Sequence, residues 1–142
     1  MEAEWEKACY GGLLHTNIPK IICINNLSSF AEPVTNEGVR QRFPWGKEFD
    51  SDKLNMNSKI NGTSAVGCFY HGRSIYGCEE IAGNVYEWCQ DWYSDPSEFR
   101  IIRGWDWNTS YKDSPSDRGW MTPESFCNTI GFRLVVSAIN YA

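Results

Sequence analysis

The sequence predicts an α+β domain made of one short helix, several short strands and long loops. Three observations point there. The only clear helix signal is at the start, over residues 2–9, and the other apolar runs are of strand length. Turn signals built on Gly, Asn and Pro recur between those runs, with 12 Gly and 6 Pro in the chain. Aromatic residues reach 15% (seven Trp, seven Tyr, seven Phe), which suits a core of large rings held by turns as well as a recognition surface. At 142 residues the chain is a single domain, 1–142, able to bury roughly two-thirds of its unfolded surface.

In chain order, Glu2 and Glu4 place negative charge in the first turn of the helix, and Gly11-Gly12 ends it. Residues 13–41 hold one strand-like run, IPKIICI, and then a polar loop ending in NEGVRQ. RFPWGKEFD (42–50) is a turn, since Pro44 fixes φ and Gly46 admits a left-handed residue. NGTSAVGCFY (61–70) opens on an Asn-Gly turn and reads on as a strand. EEIAGNVYEWCQDWY (79–93) follows, with a Gly-Asn turn in its middle and Glu80 and Glu87 around it. Tyr86, Trp88, Trp92 and Tyr93 of that segment read as core. FRIIRGWDW contributes a strand at RII, 108–128 is a polar loop, and IGFRLVVSA is a final strand.

A net charge of −5 without a basic stripe argues against nucleic acid as partner. No apolar stretch reaches the 18 residues or more of a membrane span. The charged start is not a signal peptide, so a cytoplasmic location is the default expectation. Six cysteines show no CxxC spacing, and the expectation is reduced, mostly buried thiols. His15 and His71 sit at no ligand spacing from a cysteine, which disfavours zinc, and His71 reads as a surface residue of a turn.

AEWEKACYGG, FPWG, GTSAVG, YGCEEIAGNVYEWCQDWY, IIRGWDW and TPESFCNTIGFRLV occur in this order from Ala3 to Val135. Together they resemble the formylglycine-generating enzyme (sulfatase-modifying factor) family. The resemblance implies a C-type-lectin-like fold with a small twisted antiparallel sheet, short helices and long loops. Residues 13–41 are then an insertion, and the N-terminal half of the family domain is missing, which leaves a minimised fold or a piece of a longer chain. The resemblance also implies a calcium loop with ligands from the Glu80 and Glu87 side chains and the Gly83 and Val85 carbonyls, a hard cation taking six to eight oxygens. The residue-level alternative is an Asn84 turn with Glu87 accepting from neighbouring N–H groups. A second family calcium position maps near Asn55, where the second carboxylate is lacking.

Formylglycine-generating members bind copper through two cysteines, and those positions fall here on Thr109 and Ser114, neither of which can supply a thiolate. No copper is therefore expected, and the resemblance implies a non-enzymatic domain. What remains is binding of a protein or glycan by Trp105, Asn108, Ser110, Tyr111, Asp113, Ser116, Asp117, Phe126 and Asn128. Tyr, Ser, Asn and Asp on loops are the mixture found in paratopes. Trp105, on one strand face with Trp107, is either a ligand anchor or extra core. One group with this resemblance is the variable proteins of diversity-generating retroelements, where Asn codons are rewritten. In 108–129 only Lys112, Trp120, Met121 and Glu124 lie outside the residues such rewriting reaches. The rival readings are a copper oxidase with displaced cysteines, or a fragment of one, and a plain solvated loop.

Overall fold

The computed structural model describes residues 1–12, 14–16, 33–35, 41–94, 96, 98–110 and 115–135, with backbone only for 14–16 and 33–35. The chain opens with α1 (Glu2–Tyr10), which buries Trp5, Cys9 and Tyr10. Two short strands, β1 (Leu14–Thr16) and β2 (Pro33–Thr35), pair antiparallel. They lie within the expected insertion; the expected strand IPKIICI is outside the described residues. The Pro44 turn forms as expected, closed by Phe43 and Gly46 exchanging backbone hydrogen bonds of 2.8 and 3.1 Å. Residues 61–70 form no strand, in contrast to the expectation. They run through turns between two 3₁₀ segments, Ser51–Lys53 and Tyr70–Gly72.

The main sheet contains β3 (Tyr86–Trp92), β4 (Arg100–Arg103), β5 (Gly119–Met121) and β6 (Ile130–Gly131), in the order β5-β4-β3-β6. β4 pairs antiparallel with both β3 and β5, whereas β6 runs parallel to β3. The sheet is therefore mixed and not purely antiparallel. The physical reason is the connection: residues 122–129 carry the chain from one edge of the sheet to the other, and it enters β6 in the direction of β3. The supposed continuous loop 108–128 is thus interrupted by β5, and the final strand is limited to two residues.

Two clusters of buried side chains form the core. One joins Trp5, Cys9 and Tyr10 of α1 to Ile81, Cys89 and Ile101. The other gathers Phe43, Leu54, Met56, Ala82 and Trp105. β3 inverts the expected pattern, because its buried positions are Glu87 and Cys89. Tyr86 and Trp88 are half-buried, while Trp92 and Tyr93 are exposed, with Arg100 stacked on the Trp92 ring. The ring-as-core reading thus fails for those last two residues. A buried glutamate is tolerable here because it is fully partnered: Trp5 Nε1 donates to it at 2.8 Å, and the Arg133 fork donates to both oxygens at 2.6 and 3.0 Å. Burial works against the Arg133 charge, yet the hydrogen bonds and charge of Glu87 prevail and raise its pKa.

Candidate functional site

The loops after β4 and before β6 meet around Trp107. Gly104 and Trp105 both take positive φ, 104° and 69°, so the chain leaves β4 in a sharp turn and Trp105 and Trp107 do not share a strand face. A bulky residue in this region is strained. The indole compensates by burying itself: Trp105 is 1% exposed, packed with Phe43, Leu54, Met56 and Ala82. Trp105 is core, and the expectation that it contacts ligand is corrected. Its place in the RGWDW motif, where the family pattern has a second glycine, already signalled a left-handed position.

The turn is fastened from three sides. Trp107 N–H donates to the Asn84 carbonyl (2.9 Å), and Asn84 N–H to the Asn55 carbonyl (2.8 Å). Ser58 and Asn57 N–H donate to the carbonyls of Trp107 (2.8 Å) and Thr109 (3.0 Å). Gly83 permits this close approach: its φ is +79°, and a Cβ there would lie 2.4 Å from the Asn55 oxygen.

On this frame Asn108 and Ser110 are exposed, and the Asn108 side chain accepts from the Ser58 hydroxyl at 2.9 Å. Trp107 is half-buried and its Nε1 donates to the Asn128 carbonyl at 3.3 Å, which joins the 104–110 turn to the loop carrying Phe126 and Asn128. Phe126 is 94% exposed, at a turn closed by Ser125 N–H on the Thr122 carbonyl. Asp117 is exposed, and its charge, after desolvation and that of Asp106, helps to raise the pKa of Tyr86. The Ser116 carbonyl takes the Arg103 guanidinium, which is buried and paired with Glu2 and Glu6 of α1, so Ser116 serves packing. Tyr111 and Asp113 lie outside the described residues. Sequence reasoning missed Asp106 and Tyr86: the Thr109 hydroxyl accepts Asp106 N–H at 3.2 Å and sits between Asp106 Oδ1 and the Tyr86 hydroxyl.

The residues matched to the family calcium loop find other partners. Glu80, buried with φ 46°, accepts the N–H groups of Gly67 and Phe69 at 2.9–3.2 Å. Glu87 is held by Trp5 and Arg133 as above, and the Gly83 carbonyl accepts Val85 N–H at 2.9 Å. A guanidinium holds the Glu87 oxygens that a cation would need, so in this arrangement the donor set does not fit calcium. Near Asn55 one buried amide oxygen, Asn55 Oδ1, has no hydrogen-bond partner. Among the described residues, no group of three His, Cys, Asp or Glu is placed to hold a metal.

Cys9 and Cys89 are buried, Cys78 is half-buried, Cys68 and Cys127 are exposed, and all five are free. Cys78 and Cys89 face a cavity of about 830 Å³ that Trp5, Glu87 and Arg133 also line. Burial pushes the Cys89 thiol up to about 11 and raises Cys9 as well, which keeps both protonated at neutral pH.

Residues 1–138 match the sulfatase-modifying factor enzyme 1-like domain. The chain belongs to this family. Its fold is the C-type-lectin-like, formylglycine-generating-enzyme type that the motif order implied. A similar protein is the serine/threonine-protein kinase Pkn1 of Chlamydia trachomatis, 32% identical over 93% of this chain and 20% of that protein. Another is hercynine oxygenase of Mycolicibacterium smegmatis, 30% identical over 86% of this chain and 29% of the enzyme. Among solved structures, Treponema denticola variable protein 1 superposes with a TM-score of 0.61 at 21% identity, over 93% of this chain and 44% of that one. The chain thus spans less than a third of these two relatives and less than half of the superposed protein. Among the described residues no helix is long and apolar enough to cross a membrane.

Proposed function

We propose that this domain binds a ligand, a protein or a glycan, without catalysing a reaction, through the face formed by Asn108, Ser110, Asp117, Phe126 and Asn128. The observation that carries this reading is at Thr109. The family's first copper-binding cysteine falls on this residue, whose hydroxyl is engaged by Asp106 and Tyr86, while the buried thiols elsewhere are protonated. In the loop that Trp107 ties to this turn, Phe126 stands almost fully in solvent, and an exposed ring among adaptable polar side chains is the chemistry of a recognition surface. The more specific version is a retroelement-diversified binding face, supported by the composition of 108–129; the likeness to a variable protein is one of fold. The rival is a copper-dependent oxidase with displaced cysteines, which family relatives named as enzymes keep in view.

The deciding experiment incubates the protein with Cu(I) and a cysteine-containing peptide under oxygen. Copper stoichiometry and thiol oxidation are read together. The expected result is no tight copper and no turnover; one-to-one copper with turnover overturns the binding reading. Display screening against protein and glycan libraries then supplies a ligand, whose binding Phe126→Ala should abolish without altering the fold.

A further inference from the structure

A separate cleft lies between the Pro44 turn and the two 3₁₀ segments. We infer that it is a binding site for a small ring bearing a carboxylate, of the uronic-acid class. The cleft holds about 280 Å³ and is lined by Trp45, Lys53, Tyr70, His71 and Arg73 among others. This is just under the roughly 300 Å³ at which drug-sized ligand pockets begin, a size that suits one sugar ring.

Its charge is opposite to that of the chain. The protein carries −5 overall, yet Lys53 and Arg73 line the cleft together and no carboxylate does. Arg73 is half-buried, its guanidinium 3.9 Å from the centre of the Tyr70 ring, and no carboxylate pairs with it among the described residues. Arg103, Arg118 and Arg133 each hold a glutamate. A partly desolvated guanidinium braced on a ring keeps its fork of donors available, and that fork matches a carboxylate with two parallel bonds. Lys53 adds a second positive charge. Its acidic neighbour Asp50 is 3.6 Å away and well exposed, a pair that contributes little.

The backbone beneath the cleft is closely packed. Trp45 stacks on the fully buried Phe43 ring (5.4 Å, 9°) and its Nε1 donates to the Glu48 carbonyl at 3.0 Å. His71 packs edge-on against Tyr70 at 5.6 Å. Gly72 presses so closely on the Lys53 backbone that a Cβ would lie 1.7 Å from the Lys53 oxygen. The backbone that carries the two cations is therefore held in place, which limits the ordering needed on binding. One face of the indole is covered by Phe43 and Lys53 Nζ lies 6.0 Å from the ring centre, so the pyranose seats beside the indole while Arg73 and Lys53 take its carboxylate.

The test titrates glucuronate, glucose, acetate and inorganic phosphate into the protein, following the Trp45 indole N–H by NMR. Glucuronate is expected to bind saturably at one to one, at least tenfold more tightly than glucose or acetate, and Arg73→Ala or Lys53→Ala should each weaken it at least tenfold. Both are surface-reaching side chains, so unchanged circular dichroism verifies the fold. Equal binding of glucose would remove the role of the charge. Equal binding of phosphate or acetate would reduce the cleft to a simple anion site and overturn the ring assignment, as would an Arg73→Ala variant with unaltered affinity. Phe126→Ala leaves this binding intact, so the outcome is independent of the face proposed above.

Discussion

Replacing Trp105 separates the core role from a recognition role. The indole is 1% exposed among Phe43, Leu54, Met56 and Ala82, so Trp105→Ala opens a cavity in the second core. Loss of a buried tryptophan of this kind costs about 3–5 kcal/mol, a large share of the roughly 5–15 kcal/mol that holds a domain folded. The backbone supplies a sharper discriminator. At an ordinary position Gly is worse than Ala by about 0.5–1 kcal/mol. Trp105 has φ 69°, where Ala keeps the strain of the native residue and Gly relieves about 1–2 kcal/mol of it. Trp105→Gly should therefore be the less destabilised variant of the two. Trp105→Phe should fall between wild type and Ala, because it keeps much of the volume and deletes an indole N–H that has no partner. Urea unfolding followed by far-ultraviolet circular dichroism measures all three without relying on tryptophan emission. A loss under about 1 kcal/mol for Trp105→Ala, or Gly falling below Ala by the ordinary margin, would refute the buried left-handed placement.

Glu87→Gln removes one partner of the buried pair with Arg133 and leaves the guanidinium uncompensated; the expected loss is about 3 kcal/mol by thermal or urea unfolding. Because both loop carboxylates already have protein partners, excess calcium against chelator should move the melting temperature by no more than about 2 °C, below what 1 kcal/mol produces in a domain of this size. A clear calcium-dependent rise would mean that Glu80 and Glu87 turn to an ion. Gly83→Ala should cost about 2–4 kcal/mol, since it combines a left-handed alanine with a Cβ 2.4 Å from the Asn55 oxygen. The Cys89 thiol, raised by burial to about 11 in the folded state, contributes stability that is full below its unfolded value near 9 and is lost as pH rises toward 11. That loss is about 2–3 kcal/mol, and Cys89→Ala should flatten the pH profile of unfolding by this amount.

Local chemistry explains which elements were readable in advance. Glu2-Glu4 and Gly11 frame α1, and Pro44 and Gly46 shape their turn through backbone preferences that no tertiary contact needs to enforce. RII likewise emerged as β4. The aromatic strand misled because its alternation is inverted: Glu87 points inward and Trp92 outward. Only the arrival of Arg133 and Trp5 makes a buried carboxylate tolerable at that position. At the candidate site, polarity correctly suggested exposure for Asn108, Ser110, Asp117 and Asn128. The roles of Asp106 and Tyr86 depend on β3 bringing the Tyr86 hydroxyl to that of Thr109, which lies three residues beyond Asp106 in the same turn.

The sequence by itself determined the family, through motifs kept in order, and the absence of cysteine at Thr109 and Ser114. Both are properties of residue identity and spacing. The tertiary structure decided that Trp105 is core, that β6 lies parallel to β3, and that Lys53 and Arg73 meet at one cleft. Each of those depends on segments distant in the chain converging, and convergence follows from the packing of the whole chain and not from any local pattern.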